Sequence, residues 1–194
     1  RKALARLRDH VTDGAIGRPY AVFCSLLAPF YLADYAKTPW RRLGGLPGGV
    51  VTDVGIHWAS QLRLLFGDIT VTAAFGLSAN PDLGKMDSIS FNFASSQGVK
   101  GVVNLYLGVR DYFQETMTIL GTEGTLVGGQ SGPDFGKYKI SVHDHGQSRD
   151  ELFEGDTGLP EEFEDFYQAI RSKVIVKSSF AEAFMDLKLM LEAV

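Results

Sequence analysis

Asp53 and His57 are the residues whose types and spacing could carry out chemistry. They lie four residues apart, and on a helix this spacing places two side chains on one face, one turn apart. A carboxylate beside an imidazole can fix the tautomer of the ring, and the ring can exchange a proton with a substrate hydroxyl or carbonyl. We therefore name Asp53 and His57 as a candidate catalytic acid/base pair.

Other interpretations of Asp53 and His57, and of a second histidine pattern, remain open. Asp53 can serve the helix N-terminus and merely support a half-buried His57, and spacing alone favours this structural role. A zinc site is a weaker interpretation, because no third ligand lies nearby in the sequence. A separate H-x-H pattern, His143 and His145, is interpreted as a solvated hairpin tip.

The residues before this helix are expected to shape the site. A glycine-rich run from Gly44 to Gly49 predicts a tight turn that brings backbone close to whatever Asp53 and His57 face. Trp40 and Arg41 precede it, either as a surface stack or as substrate contacts, and their position favours substrate binding. No two glycines have the i, i+2 spacing of G-x-G-x-x-G, so the chain lacks the dinucleotide fingerprint.

Composition narrows the class of protein. The 194 residues suit one domain, and a net charge of −4 argues against binding to nucleic acid. No apolar run reaches the length of a membrane helix, so no membrane span is predicted. Cys24 is the only cysteine, which predicts a reducing, cytoplasmic setting. Both ends fall inside predicted helices, so we expect a fragment of a longer chain.

Hydrophobic periodicity predicts the elements that position Asp53 and His57. A helix is expected over Val50–Phe66, and alternation with short turns from Ile69 to about His143 predicts antiparallel strands. The predicted fold is α+β, a mostly antiparallel open β-sheet with helices packed on one face and an uncharged Ser/Thr/Asn surface on the other. Two last helices are expected to turn apolar stripes inward. The stripes are Phe163, Phe166 and Ile170, then Phe180, Phe184, Leu187 and Leu191.

Several motifs together resemble a known family. Trp40-Arg41, Gly48-Gly49 and the helix segment Asp53-Val54-Gly55-Ile56-His57 are similar to the W-R…G-G-x-x-x-D-x-G-x-H signature of the Gfo/Idh/MocA oxidoreductases. The segments Gly14–Pro19 and Ile119–Leu126 also resemble parts of that family. The resemblance covers nearly the whole chain, and its pieces occur in the family's order.

The resemblance implies an NAD(P)-dependent oxidoreductase of two domains that acts on a hydroxyl or carbonyl of a sugar, polyol or related compound. Residues 1–194 would be the substrate-binding and oligomerisation domain, and NAD or NADP would be bound mainly by an N-terminal Rossmann domain absent here. The fragment alone would be inactive. Homo-oligomers would form through the open sheet face. By motif, Asp53 and His57 match the family's active-site pair, whereas Ser60 stands where the family often has an acid.

Two rival functions remain from the sequence. A non-enzymatic regulator could use the same scaffold to sense a ligand, and the missing acid at Ser60 leaves this open. A metal-dependent hydrolase would need Asp53 and His57 to meet His143 and His145 in space.

Overall fold

An open sheet forms the centre of the molecule. The computed structural model describes residues 1–42, 45–132 and 134–194, so Leu43 and Pro133, and with them Gly44 at the start of the predicted glycine loop, lie outside the described residues. Within those ranges, eight strands lie in the order β2-β3-β4-β1-β5-β6-β7-β8. They are β1 (Pro19–Leu27), β2 (Ile69–Leu77), β3 (Ser88–Ser95), β4 (Lys100–Tyr106), β5 (Gln114–Gly121), β6 (Gly124–Gln130), β7 (Tyr138–Asp144) and β8 (Gln147–Phe153).

The pairing of the strands confirms the predicted α+β fold. Neighbouring strands are antiparallel except β1 and β4, which pair in parallel at the middle of the sheet. Cys24 of β1 lies between Val103 and Met117 on a buried face. The next residue, Ser25, points to the other face beside Asn104, where side chains are partly exposed. The sheet therefore has one covered apolar face and one open face.

Of the helices among the described residues, α1, α3 and α5 cover the apolar face. The helices are α1 (Lys2–Thr12), α2 (Pro39–Arg42), α3 (Val50–Phe66), α4 (Leu159–Ser172) and α5 (Phe180–Ala193). Helix α1 packs on β6 and β7, while α3 packs on β2 and β3 with α5 beside it. Among the described residues, no helix combines the length and apolar character needed to cross a bilayer.

Helix α3 matches its prediction in bounds and in its buried stripe. The predicted stripe is buried in full: Val51, Val54, Trp58, Leu62 and Leu65. Helix α5 approaches so closely that a Cβ at Gly55 would lie 2.7 Å from Sδ of Met190. Arg63 joins the two helices further along, donating to Asp186 at 2.6 Å and to Glu182 at 2.8 Å. The core thus fixes the face on which His57 stands.

Helix α4 and the start of α5 depart from the prediction. Phe163, Phe166 and Ile170 were expected to face inward but are 72%, 58% and 64% exposed. Of the residues described in α4, Ala169 alone is buried. In α5 the buried residues are Asp186, Leu189, Met190 and Ala193, whereas three residues of the predicted stripe are exposed. Those three are Phe180, Phe184 and Leu191. The amphipathic period is present, but the described chain does not cover this side of the helices.

Helix α1 is held by polar contacts at its start and along one side. The carboxylate of Asp156, which is 5% exposed, accepts hydrogen bonds from the backbone N–H groups of Lys2 and Ala3, each at 2.8 Å. Arg6 and His10 both contact Glu151 of β8, with Arg6 Nε 2.8 Å and His10 Nε2 2.9 Å from its carboxylate oxygens. A distant acidic residue thereby caps a helix that begins without a local side-chain cap.

Candidate functional site

A tight turn brings α2 against the first turn of α3. Gly48 and Gly49 have φ angles of 72° and 51°, in the region that favours glycine. A Cβ at Gly49 would lie 2.6 Å from the backbone oxygen of Arg41, so only glycine permits this approach. Thr52 braces the turn by donating its hydroxyl to the backbone oxygen of Pro47 at 2.6 Å. The turn therefore places the Arg41 side chain beside Asp53.

Arg41 is fixed from several sides. Its Nε donates to the Asp53 carboxylate at 2.8 Å, and its Nη1 donates to Thr38 Oγ1 at 2.8 Å and to the Tyr35 backbone oxygen at 3.2 Å. Its guanidinium carbon lies 3.9 Å from the centre of the Trp40 ring and 4.9 Å from that of Tyr35. The Arg41 and Asp53 side chains are only 14% and 22% exposed, so the pair is partly desolvated and well oriented.

His57 stands one turn further along α3 and is exposed. In the described part of the chain, no side chain forms a hydrogen bond with its ring. The sequence suggested an Asp53 carboxylate that supports a half-buried His57, but the structure places that carboxylate on Arg41 and leaves the imidazole open. An open imidazole next to a fixed, charge-balanced pair can accept or donate a proton at a bound molecule.

Tyr35 belongs to this group, and sequence reasoning missed it. It lies in the irregular connection after β1, which forms 3₁₀ turns at Phe30–Leu32 and Asp34–Lys37 before α2. Burial raises the pKa of the Tyr35 phenol, and the nearby Asp53 carboxylate raises it further, while Arg41 acts in the opposite direction. The phenol therefore stays protonated near neutral pH. The available signal was an aromatic residue six positions before Arg41 in a segment without regular period.

A cavity of about 180 Å³ opens beside this group. Its walls comprise Arg41, the turn from Leu46 to Gly49, and the pair Lys85 and Met86. Two of these residues are cationic and none is acidic. The cavity thus joins the Arg41–Asp53 pair to a positively charged wall.

The two other histidines of the sequence pattern lie elsewhere. His143 ends up in β7, and His145 occupies the β7–β8 turn with a φ of 45°, as the hairpin interpretation predicted. They line a wider depression of about 430 Å³ together with Glu123, at the far end of the molecule's β5–β8 hairpins. Among the described residues, no group of three or more His, Cys, Asp or Glu side chains could hold a metal ion. The four residues of the hydrolase hypothesis are therefore not brought together.

The described residues lack the strand, glycine loop and helix unit of a dinucleotide-binding fold. The glycine turn before α3 follows the short helix α2, whereas the nucleotide fingerprint requires a strand leading into a glycine loop and a helix. The sheet is mostly antiparallel, without the repeated parallel units of a nucleotide-binding domain. Neither the turn nor the sheet of the described residues therefore has the form of a nucleotide-binding fold.

Comparison with known proteins gives this site a context. Residues 4–127 match the model of the GFO/IDH/MocA C-terminal domain. A 1,5-anhydro-D-fructose reductase of Ensifer adhaerens is 31% identical over 133 residues, which cover 63% of this chain and 36% of the reductase.

Solved structures reproduce the fold. An oxidoreductase of Thermotoga maritima is 26% identical with a TM-score of 0.81, and the match covers 98% of this chain and 55% of that one. A levoglucosan dehydrogenase in complex with NADH is 18% identical with a TM-score of 0.76, covering 98% and 59%. The chain therefore spans about a third of the reductase and little more than half of these solved chains.

Proposed function

Because the chain belongs to the GFO/IDH/MocA family through its C-terminal domain, we propose that it is the substrate-binding domain of an NAD(P)-dependent oxidoreductase. Its substrate is a sugar, polyol or related compound that carries a reactive hydroxyl or carbonyl. The observation that carries the proposal is the exposed His57 beside the fixed Arg41–Asp53 pair. The named relatives are a reductase and a dehydrogenase, which gives no support to a ligand-sensing regulator.

Each residue of the site has a role in this reaction. His57 takes the proton from the substrate hydroxyl during oxidation, or returns it to the carbonyl oxygen during reduction. Arg41 holds the Asp53 carboxylate in place one turn before His57, so that the pair forms a fixed polar wall beside the reacting group. Trp40, which is 45% exposed, offers a flat apolar ring against which a sugar can pack.

The nicotinamide cofactor accepts or supplies the hydride when it is bound. We assign its binding to a domain outside residues 1–194, since the described residues contain no nucleotide fold. The chain spans 36% of the reductase it matches, which supports a further domain in the whole protein. On this proposal the 194-residue chain alone has no turnover, because it holds the proton-transfer group without the hydride carrier.

The exposed side of α4 and α5 supports the same division into domains. Phe163, Phe166, Phe180 and Phe184 are all more than half exposed and lie on the two consecutive helices α4 and α5. An apolar surface of this kind is typical of an interface. We assign it to the contact with the nucleotide-binding domain.

The open face of the sheet supports a homo-oligomer. Its centre carries Ser, Asn and Thr side chains, with Ser90 donating to Asn104 at 2.7 Å. Phe23 and Phe75 stand exposed on the same face, 51% and 60% respectively. Uncharged polar groups with aromatic residues at the centre of this face suit burial against a second copy, while Lys139 and Asp150 form an ion pair towards its β7–β8 edge. We also assign the protein to the cytoplasm, where its lone Cys24 stays reduced.

The role of His57 is tested in the full-length protein by replacing it with Asn. Removing a general acid/base should lower kcat/KM about 10²- to 10⁴-fold, with KM changed little. His145→Asn makes the same substitution at an exposed histidine of the β7–β8 turn, so it is the matched control and should retain activity. Unchanged turnover in His57→Asn would show that another group transfers the proton.

A further inference from the structure

The cavity beside α2 contains a positive charge without a counterion among the described residues. Arg41 in its wall is balanced by Asp53, with Nε 2.8 Å from the carboxylate. Lys85, which also lines the cavity, is exposed and forms no ion pair or hydrogen bond with any described residue. Since the described residues of the lining include no acidic side chain, Lys85 gives this part of the cavity about one positive charge that no described residue balances.

The hydrogen-bond donors of Arg41 and Lys85 also favour an anion in this cavity. Arg41 uses Nε and Nη1 for Asp53, Thr38 and the Tyr35 backbone, which leaves its Nη2 without a hydrogen-bonding partner among the described residues. The Lys85 ammonium supplies up to three further donors on a flexible stem. An arginine and a lysine that line one cavity can supply these donors to carboxylate or phosphate oxygens.

Arg41 connects the cavity to the helix that carries His57. Arg41 contacts Asp53, and His57 lies four residues beyond Asp53 on α3, a rise of about 6 Å. One small molecule can therefore present a hydroxyl to His57 while its other end reaches the cavity. The volume of about 180 Å³ leaves room for a carboxylate or phosphate group.

We propose that the substrate is anionic, and that Lys85, assisted by Arg41, binds its carboxylate or phosphate group in this cavity. This inference rests on the proposed function for the position of the reacting hydroxyl. Lys85 is then a specificity-determining residue, because it favours a sugar acid or sugar phosphate over a neutral polyol of the same length.

Calorimetric binding to the full-length protein tests the inference without turnover. The probes are D-gluconate for the carboxylate, D-glucose 6-phosphate for the phosphate, and neutral D-glucitol. Lys85→Ala should weaken the preferred anionic probe about tenfold, whereas Lys85→Arg should keep its affinity within about threefold. D-glucitol should bind equally to all variants. Lys100→Ala removes an exposed lysine at the start of β4, away from the cavity, and serves as the control.

The outcomes separate this inference from the proposed function. Equal affinity of Lys85→Ala and the unaltered protein for both anions overturns the anion site, as does failure of both anions to bind more tightly than D-glucitol. The effect of His57→Asn on turnover is independent of that result. Anion binding that depends on Lys85 in a protein without turnover would keep the site and reject the oxidoreductase.

Discussion

Helices α3 and α4 have similar amphipathic sequences, but their apolar stripes differ in burial. Both carry an apolar stripe at helical spacing, yet the stripe of α3 is buried and that of α4 is exposed. The difference lies in what each helix meets, since α3 lies on the sheet beside α5, whereas only Ala169 of α4 is buried among the described residues. Periodicity therefore identifies an apolar helix face that is stabilised by burial, but it does not identify the element that buries it.

Leu62→Ala in α3 should give the largest effect on stability. Leu62 is fully buried, so the substitution loses transfer free energy and leaves a cavity, at a cost of about 2–5 kcal/mol of unfolding free energy. Urea denaturation of the 194-residue chain measures this. Leu64→Ala, half exposed on the same helix, is the matched control and should cost under about 1 kcal/mol. Similar losses for the two variants would mean that α3 is not the buried helix.

A helix can also be held by polar contacts, as α1 shows. Asp156→Ala should lower the unfolding free energy by about 1–2 kcal/mol, because two N–H groups at the start of α1 lose their acceptors. Asp156→Asn keeps one acceptor oxygen and should lose less. Thermal unfolding of the two variants beside Asp68→Ala, an exposed acid at the end of α3, gives the comparison. If Asp156→Ala and Asp68→Ala unfold at the same temperature, Asp156 does not stabilise the start of α1.

How much of the fold could be predicted from the sequence depends on how far apart in the chain the interacting residues lie. The bounds and buried stripe of α3 depend on local periodicity, and both were confirmed. The pairing of β1 with β4 joins residues more than 70 positions apart, such as Cys24 and Val103, and was not predicted because nothing local encodes it. Strand β8 was missed for a different reason, since its sequence QSRDELF is largely polar.

The contacts of the candidate site were also hard to predict, although they join residues that are closer in the sequence. Arg41 and Asp53 were each named from the sequence, but their contact crosses a 12-residue separation and a glycine turn. Spacing within the helix favoured His57 as the partner of Asp53, whereas in the structure Arg41 donates the hydrogen bond to the Asp53 carboxylate. Tyr35 was missed because an aromatic residue in an irregular segment has no periodicity to mark its direction.

Phe166→Ser should have the smallest effect in the 194-residue chain, and its size in a longer protein sharpens the contrast between α3 and α4. Phe166 is 58% exposed, so the change should alter the unfolding free energy of the chain by no more than about 0.5 kcal/mol. If the nucleotide-binding domain covers this face, the same substitution in the full-length protein should cost about 2 kcal/mol, because an aromatic side chain then loses its burial.

The control is Glu162→Ala, an exposed acid in the first turn of α4. It should cost little in either protein, since it removes no apolar contact. A Phe166→Ser penalty that stays small in both proteins would leave the α4 face uncovered and remove its assignment as a domain interface. A penalty that appears only in the full-length protein would mean that α4, like α3, has a buried stripe, whose cover lies beyond these 194 residues.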